Sequence, residues 1–438
     1  MRAVLISTYE LGRQPFGLAS PAAWLRQRGH QVTCADLSRQ PLPSGAVRDA
    51  DLVAFYLPMH TATRLAMPVI DKARELNPRA VLAGYGLYAP MNEEHLRAHG
   101  IQFILGGEFE QALANLADGR PSPDSLDRLR FVTPDRAGLP PLPSYAALRD
   151  GGETKAVGYT EASRGCKHLC RHCPIVPVYN GVFRVVQREV VLADIRQQVA
   201  AGARHITFGD PDFFNGPAHA MALVEALDRE HPALTYDVTI KVEHLLQHRS
   251  LLPVLRGTGC RLVTSAVESL DDRVLDLLDK GHTRQDFFEA VRLTREEGLT
   301  LSPTFIPFTP WTTWEGYRDL LRTLARLELV EQVSPIQLAI RLLIPAGSRL
   351  LELKEVREQI GPFDPEALSY RWAHADPALD RLAIALLSRI RRAEREGASR
   401  SQIFGAIWKL AHQDGAPPPD FHLAARASVP YLTEPWYC

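Results

Sequence analysis

The sequence predicts an α/β chain in three parts: a doubly wound parallel sheet of Rossmann type, a partial (β/α) barrel, and a helical C-terminal region. Three observations carry this. Short apolar runs alternate with helical patterns through residues 1–125 and again through 156–350, the signature of parallel sheets with crossover helices. Between them, the stretch 126–155 contains the Pro-rich segment Pro134–Pro143, which can build neither a helix nor a central strand and so marks a linker. Beyond 350, the segment 351–438 is patterned for helices. A chain of 438 residues has room for such a set of separately cored parts.

The elements follow in order. Ala3–Ser7 reads as a buried strand. Ser20 and Pro21 give an N-cap and first-turn signal for a helix through Trp24 and Leu25 to Arg28, which Gly29 ends. Gln31–Ala35, Leu52–Tyr56, Ala80–Ala83 and Phe103–Leu105 are the next strands. Ala62–Leu76 is a helix that Pro68 is placed to kink or restart. After the linker, Val157–Ala162 opens the second part. His205–Phe214 supplies its second strand and turn. Thr235–Glu243 reads as the third strand, with Lys241 and Glu243 on one face, and Gly259–Ser269 as the fourth. Leu379–Arg395 and Arg400–His412 are helical, and Pro417–Pro419 breaks the chain before its last residues.

The chemistry concentrates in Cys166, Cys170 and Cys173, a CxxxCxxC loop directly after a strand. Thiolates hold iron–sulfur clusters, and a closed cubane takes four of them. Three leave one iron free to bind a substrate and pass it an electron. Zinc is the competing reading, because His168 and His172 could complete a four-ligand set. Structural zinc ligands, however, come as two short pairs well separated in sequence. A disulfide is disfavoured by six cysteines in the whole chain and no secretory signal. Hydrophobic residues are 45%, charged residues 23% and the net charge −1, so no electrostatic footprint for nucleic acid or an anionic membrane exists. No apolar run approaches the ~20 residues of a membrane span. A reducing cytoplasm is the expected compartment. Cys260, after a turn glycine, reads as a buried inert thiol.

With this loop the chain resembles the radical S-adenosylmethionine (SAM) superfamily. The resemblance implies that Cys166, Cys170 and Cys173 hold a [4Fe–4S] cluster whose open iron chelates the amino and carboxylate groups of SAM. One electron then breaks a carbon–sulfur bond of the sulfonium. His172 fills the slot before the third cysteine, where the family carries an aromatic residue; its N–H is expected toward a sulfide or a backbone carbonyl. Gly209, Asp210 and Asp212 stand at the position of the family's Gly-Gly-Glu motif, where a carboxylate meets the SAM ammonium. An Asp-Pro turn without a ligand role is the alternative. Lys241 is a further candidate SAM contact. Glu268 and Ser269 resemble the family's Gly-x-Glu-Ser strand end, with Ala266 in place of the glycine, and would bond the ribose hydroxyls or the SAM amino group. Lys280-Gly281 follows at the family's interval. Ser302–Pro310 lies where relatives carry a Gly-x-Pro-Gly-Glu-Thr turn, without the glycines, and Leu342–Ser348 resembles the Pro-Gly-Thr turn that closes the family's sixth strand. Trp311 and Trp314 either roof the substrate pocket or pack.

Phe16–His30 and Gly106–Glu110 resemble the cobalamin-binding-like domain that precedes many radical SAM barrels. This implies cobalamin as a third cofactor, although the Asp-x-His-x-x-Gly motif is absent; the alternative is a docking lid without a cofactor. His60 follows a strand, where a ligand could reach it, or is a loop histidine. The last residues, Trp436–Cys438, resemble the tails of CUAEP/CCAEP-tail radical SAM proteins, in which selenocysteine or cysteine follows. That makes Cys438 a candidate catalytic thiol, against a free thiol on a tail. The activity implied is cobalamin-linked methyl transfer to a small molecule, with a reductase, flavodoxin or ferredoxin as electron donor. The alternatives are a cobalamin-independent reaction (3-amino-3-carboxypropyl transfer to a soft atom, or a deoxyadenosyl-radical rearrangement) and a non-catalytic metal-binding scaffold.

Overall fold

The computed structural model describes residues 1–123, 126–412, 415, 417 and 429–433. Five parallel strands, β1 (Arg2–Ser7), β2 (Gln31–Asp36), β3 (Leu52–Tyr56), β4 (Val81–Tyr85) and β5 (Phe103–Leu105), make the first sheet in the order β2-β1-β3-β4-β5. Alternation along β1 sends Ala3 and Leu5 to one face and Val4 and Ile6 to the other. The first pair packs with the helices Phe16–Gln27 and Phe109–Ala117, the second with Ser44–Asp49 and His60–Leu76. Both faces are covered, and the inner strands β3 and β4 are apolar along their whole length, as in parallel sheets buried on both sides. The strand order reverses between β1 and β3, where doubly wound sheets open a crevice for ligands.

The first helix starts earlier than its cap signal. It begins at Phe16 and runs through Pro21, and Ser20 caps nothing: its hydroxyl donates to Glu110 Oε1 at 2.6 Å. Burial of the whole Phe16–Leu25 stretch outweighs the local signal. Gly29 does end the helix, at φ +81°. Pro68 lies within one continuous helix, His60–Leu76.

The second sheet is built on β6 (Ala147–Asp150) and β7 (Glu153–Thr160), an antiparallel pair joined through Gly151 and Gly152, both at positive φ. The short ribbon β8 (Ser163–Gly165) and β9 (Phe183–Val185) flanks the cysteine loop. From β7 the sheet continues in parallel through β10 (His205–Phe208), β11 (Thr235–Thr239), β12 (Cys260–Glu268) and β13 (Thr300–Phe305). A sixth position is one parallel bridge, Phe308 to Arg341. Pro307, Pro310 and Pro345 have no N–H to extend it. The third strand ends at Thr239, short of the expected Glu243. Lys241 precedes the helix Val242–Gln247, and Glu243 lies in its first turn, where a carboxylate favours the helix dipole.

A hairpin, β14 (Ile360–Asp364) and β15 (Ser369–Trp372), reaches from the C-terminal region to the first sheet. Its turn accepts hydrogen bonds from His60 Nε2 (to Ala367 O, 2.5 Å) and Arg64 (to Glu366 O, 3.2 Å). The helices Pro377–Arg395 and Arg400–Ala411 close the barrel core beside Trp314–Arg326. The chain then returns as β16 (Tyr431–Leu432), antiparallel to β6. Among the described residues no helix is long and apolar enough to cross a membrane.

Candidate active site

The cysteine loop leaves β8 at Gly165, which sits at φ +70°; a Cβ there would lie 2.2 Å from Val182 O and 2.5 Å from the Tyr179 ring. Only glycine allows this turn. The rest of the loop is clamped through its backbone. Asn215 accepts the Lys167 N–H at 3.2 Å. Arg349 donates to Leu169 O at 2.9 Å and Ser348 to Arg171 O at 3.2 Å, while Arg171 N–H donates to Leu278 O at 2.9 Å. The Pro345–Ser348 turn, read in sequence as a strand closure, therefore holds the loop.

The three thiols converge on one space. Burial pushes the Cys173 thiol up to about 12, and the neighbouring Cys170 and Cys166 add to it; burial also raises Cys166. Protons on three crowded thiols are what iron displaces. Two ammonium groups face the same space: Lys241 Nζ is 3.9 Å from Cys170 Sγ, and Lys280 is close enough to Cys170 and Cys173 that both raise its pKa. Cys34 and Cys260 are buried in the packing of the two sheets, the latter with its sulfur toward Leu262 O at 3.6 Å. Three soft donors with no fourth cysteine beside them among the described residues, and cations set against the negative charge, fit a [4Fe–4S] cluster with one open iron.

Glu268 stands at a bulge between β12 and β13, at φ +69°. Burial alone would raise its pKa, but Lys280, 3.5 Å away, and His172 outweigh it and hold the carboxyl at about 2. His172 points its Nε2 at Glu268 Oε1 (3.1 Å), not at a backbone carbonyl, and its Nδ1 is buried without a partner. Ser269 Oγ accepts the Asp271 N–H, opening the next helix. Glu268 and Ser269 share a cavity of about 310 Å³ with Ile306, Thr309 and Trp311. Trp314 instead packs on the barrel core and donates to Asp376.

The turn after β10 divides its work. Gly209 has Tyr159 against it: a Cβ would lie 1.9 Å from the Tyr159 hydroxyl oxygen. Asp210 is consumed by the chain, accepting from Ala162 N at 2.9 Å and from the Ser163 hydroxyl; burial raises it to about 7. Asp212 is the carboxylate that reaches the site. Its Oδ1 caps Phe214 N at 3.2 Å, and its Oδ2 faces His168 and His244. Sequence reasoning missed His244, Asn215 and His282, which is buried beside Lys280 and Lys241, with burial lowering its pKa to about 4. Cys438 lies outside the described residues.

The first domain docks on this site through Arg164, two residues before Cys166. Its guanidinium grips Glu110 at 2.6 and 2.8 Å, Glu161 at 2.7 Å and Glu108 at 3.4 Å, and Tyr179 donates to Glu108 at 3.0 Å. The Gly106–Glu110 turn thus serves as a dock. The crevice between β1 and β3 is filled by the chain itself. The Tyr56, Tyr85 and Phe109 rings pack at 5.0–6.0 Å, and Tyr85 Oη donates to Gly17 O at 2.8 Å. A Cβ on Gly17 would meet the Tyr56 ring at 2.1 Å, Glu10 is buried beneath, and His60 is bonded to the hairpin. These side chains occupy the crevice in which a ligand of this sheet would lie.

A radical SAM superfamily family model matches residues 160–324. The tRNA-2-methylthio-N(6)-dimethylallyladenosine synthase of Chlorobium luteolum is 27% identical over 241 residues, covering 52% of this chain and 51% of that protein. The hopanoid C-3 methylase of Methylococcus capsulatus is 24% identical over 321 residues, covering 68% and 62%. The chain therefore spans only about half to three fifths of these relatives' lengths. In fold, the cobalamin-dependent SAM radical enzyme OxsB, solved with aqua-cobalamin and SAM, aligns with TM-score 0.71 at 14% identity over 90% of this chain and 67% of that one. The radical SAM methyltransferase TsrM from Kitasatospora setae, solved with tryptophan and a SAM analogue, aligns with TM-score 0.60 at 19% identity over 75% and 72%. With three cysteines on the first loop of a parallel half-barrel, residues 160–324 carry a radical SAM superfamily domain.

Proposed function

We propose that this enzyme reductively cleaves SAM at a [4Fe–4S] cluster on Cys166, Cys170 and Cys173 and transfers a SAM-derived alkyl group to a small molecule. The observation that carries this is the convergence of three thiols with Lys241 and Lys280. When bound, the cluster supplies the electron that opens a sulfonium carbon–sulfur bond; the protein contributes orientation and exclusion of water. Lys241 and Lys280 offset negative charge beside the sulfurs. Glu268, held ionised, offers an acceptor for a SAM ammonium or ribose hydroxyl at the cavity it shares with Ser269. An external reductase, flavodoxin or ferredoxin brings the electron.

Cobalamin-linked methyl transfer is the form supported by the shared fold with OxsB and TsrM and by the likeness to a methylase. The filled β1/β3 crevice favours a second form, in which the same cluster acts without cobalamin. Anaerobically reconstituted protein with a strong reductant decides between them by mass spectrometry. 5′-Deoxyadenosine with S-adenosylhomocysteine, the latter only when cobalamin is added, supports the first. Methylthioadenosine supports the second and specifies aminocarboxypropyl transfer, whereas 5′-deoxyadenosine alone refutes alkyl transfer and points to a deoxyadenosyl-radical rearrangement. No SAM cleavage at all by cluster-loaded protein refutes both.

A further inference from the structure

Beside the cluster loop lies a second constellation of donors. His168, from between Cys166 and Cys170, Asp212, from the turn after β10, and His244, from the helix Val242–Gln247, each offer one ligand atom, all within 4.8 Å of one another. His168 Nε2 is 3.3 Å from His244 Nε2 and 3.7 Å from Asp212 Oδ2. Two donors on one tetrahedral ion, each bound at about 2.0–2.1 Å, stand roughly 3.3–3.4 Å apart, which the two distances from His168 Nε2 approach.

Hydrogen bonding does not account for the arrangement. His244 Nδ1 is 2.6 Å from Asp212 Oδ2, an ion-pair distance, yet out of line for a hydrogen bond, so both atoms are buried without a hydrogen-bond partner. Asp212 is fully buried, and an unpartnered carboxylate oxygen there carries a full desolvation cost. Two imidazole Nε2 atoms facing each other can share at most one proton or one cation. Glu243 Oε2, which accepts from Lys241 Nζ at 3.3 Å, lies 3.6 Å from His168 Nδ1 on the far side of that ring.

We propose that His168, Asp212 and His244 bind one divalent transition-metal ion next to the [4Fe–4S] cluster. Two imidazoles and one carboxylate select a borderline ion such as Zn(II), Fe(II) or Co(II) over Ca(II) or Mg(II). The ion ties the cysteine loop to the end of β10 and to the following helix, and its remaining positions are open to a nitrogen, oxygen or sulfur donor of a substrate. This site does not depend on whether cobalamin is used.

The test uses the full chain, anaerobically reconstituted so that its cysteine loop is filled with iron, then given one equivalent of Co(II) and desalted. Iron, sulfide and cobalt are measured together, with visible absorption. About one cobalt per chain, with the ligand-field bands of nitrogen and oxygen donors, is expected. His244→Ala and Asp212→Asn should each weaken cobalt retention by roughly tenfold or more while iron and sulfide stay at the parent level, which also shows that the variants fold. The proposal is overturned if the parent retains no cobalt, if both variants retain it unchanged, or if a thiolate-to-cobalt charge-transfer band places the ion on cysteine. It is also overturned if Asp212→Asn loses SAM binding with cobalt retention intact, which would make Asp212 a SAM contact alone.

Discussion

Replacing Arg164 by Met removes the guanidinium that pairs with two buried carboxylates, Glu108 and Glu110, and the partly buried Glu161. Arg164 is 7% exposed in its side chain, and those of Glu108 and Glu110 are fully buried. Breaking a buried pair by deleting one partner costs about 3–5 kcal/mol, because the other charge is left uncompensated. The cost has a pH signature. Glu110 is held below its ordinary pKa only because Arg164 outweighs burial, whereas burial already lifts Glu108 to about 7. Without Arg164 both carboxyls rise, so the folded variant binds more protons than its unfolded chain. Stability then falls as pH increases. Arg164→Met should therefore lose about 3 kcal/mol near pH 6 and more near pH 8, read from the first transition in denaturant unfolding. Adding Glu110→Leu should return part of the loss, since an apolar pair needs no compensation. A loss below about 1 kcal/mol that is flat in pH would refute the argument that this cluster holds the two domains together.

Cys170→Ala should lose bound iron and sulfide on reconstitution and all SAM cleavage; retained turnover would refute the cluster assignment. Lys280→Met removes a cation beside Cys170 and Cys173 and should lower the cluster potential by some tens of millivolts, measured by redox titration with electron paramagnetic resonance; an unchanged potential would separate Lys280 from the cluster. Glu268 is held at about 2 against an ordinary 4.5, so its contribution is complete above pH 4.5 and is lost as pH falls toward 2. Glu268→Gln should remove on the order of 3 kcal/mol of stability at neutral pH and flatten the acid limb of the stability profile; a parallel, undiminished acid limb would count against it. Gly209→Ala drives a Cβ into Tyr159 and should destabilise the chain by about 1–3 kcal/mol, whereas thermal melting indistinguishable from the parent would show that the Tyr159 ring can yield.

What could be read from the sequence was what is local. The three cysteines announce their chemistry because all sit within eight residues, and Gly29 and the helices Pro377–Arg395 and Arg400–Ala411 follow from caps and periodicity. The misplaced elements are those where distant packing decides. Ser20 carries a cap signal, but its hydroxyl is taken by Glu110, ninety residues away in sequence. Lys241 and Glu243 alternate as a strand would, yet two residues cannot distinguish a strand end from a helix start. Asp210 and Asp212 look equivalent in sequence; only the approach of Ala162 and Ser163 to one, and of His168 and His244 to the other, separates them. A lone histidine such as His244 carries no local signal until the helix after β11 is laid against the cysteine loop.

The same long-range contacts make the first domain part of the active site. Arg164 is bound to Glu108 and Glu110 on one side and joined through Gly165 to Cys166 on the other, and Gly165 is itself paired with Phe183 across the β8–β9 ribbon. A displacement of the Gly106–Glu110 turn is therefore passed over two residues to Cys166, the first of the proposed cluster ligands. Cys170 and Cys173 are held from other elements: Leu169 O by Arg349, Arg171 O by Ser348, and the Arg171 N–H by Leu278 O. Undocking the first domain would move Cys166 against two fixed partners. Three thiols serve a cubane only in register, so the cluster should be lost from Arg164→Met before the barrel itself unfolds. Iron absorbance and barrel tryptophan fluorescence, followed in one denaturant titration, should part in that variant and coincide in the parent. Coincident loss in both would mean that the cysteine loop is positioned by the barrel alone.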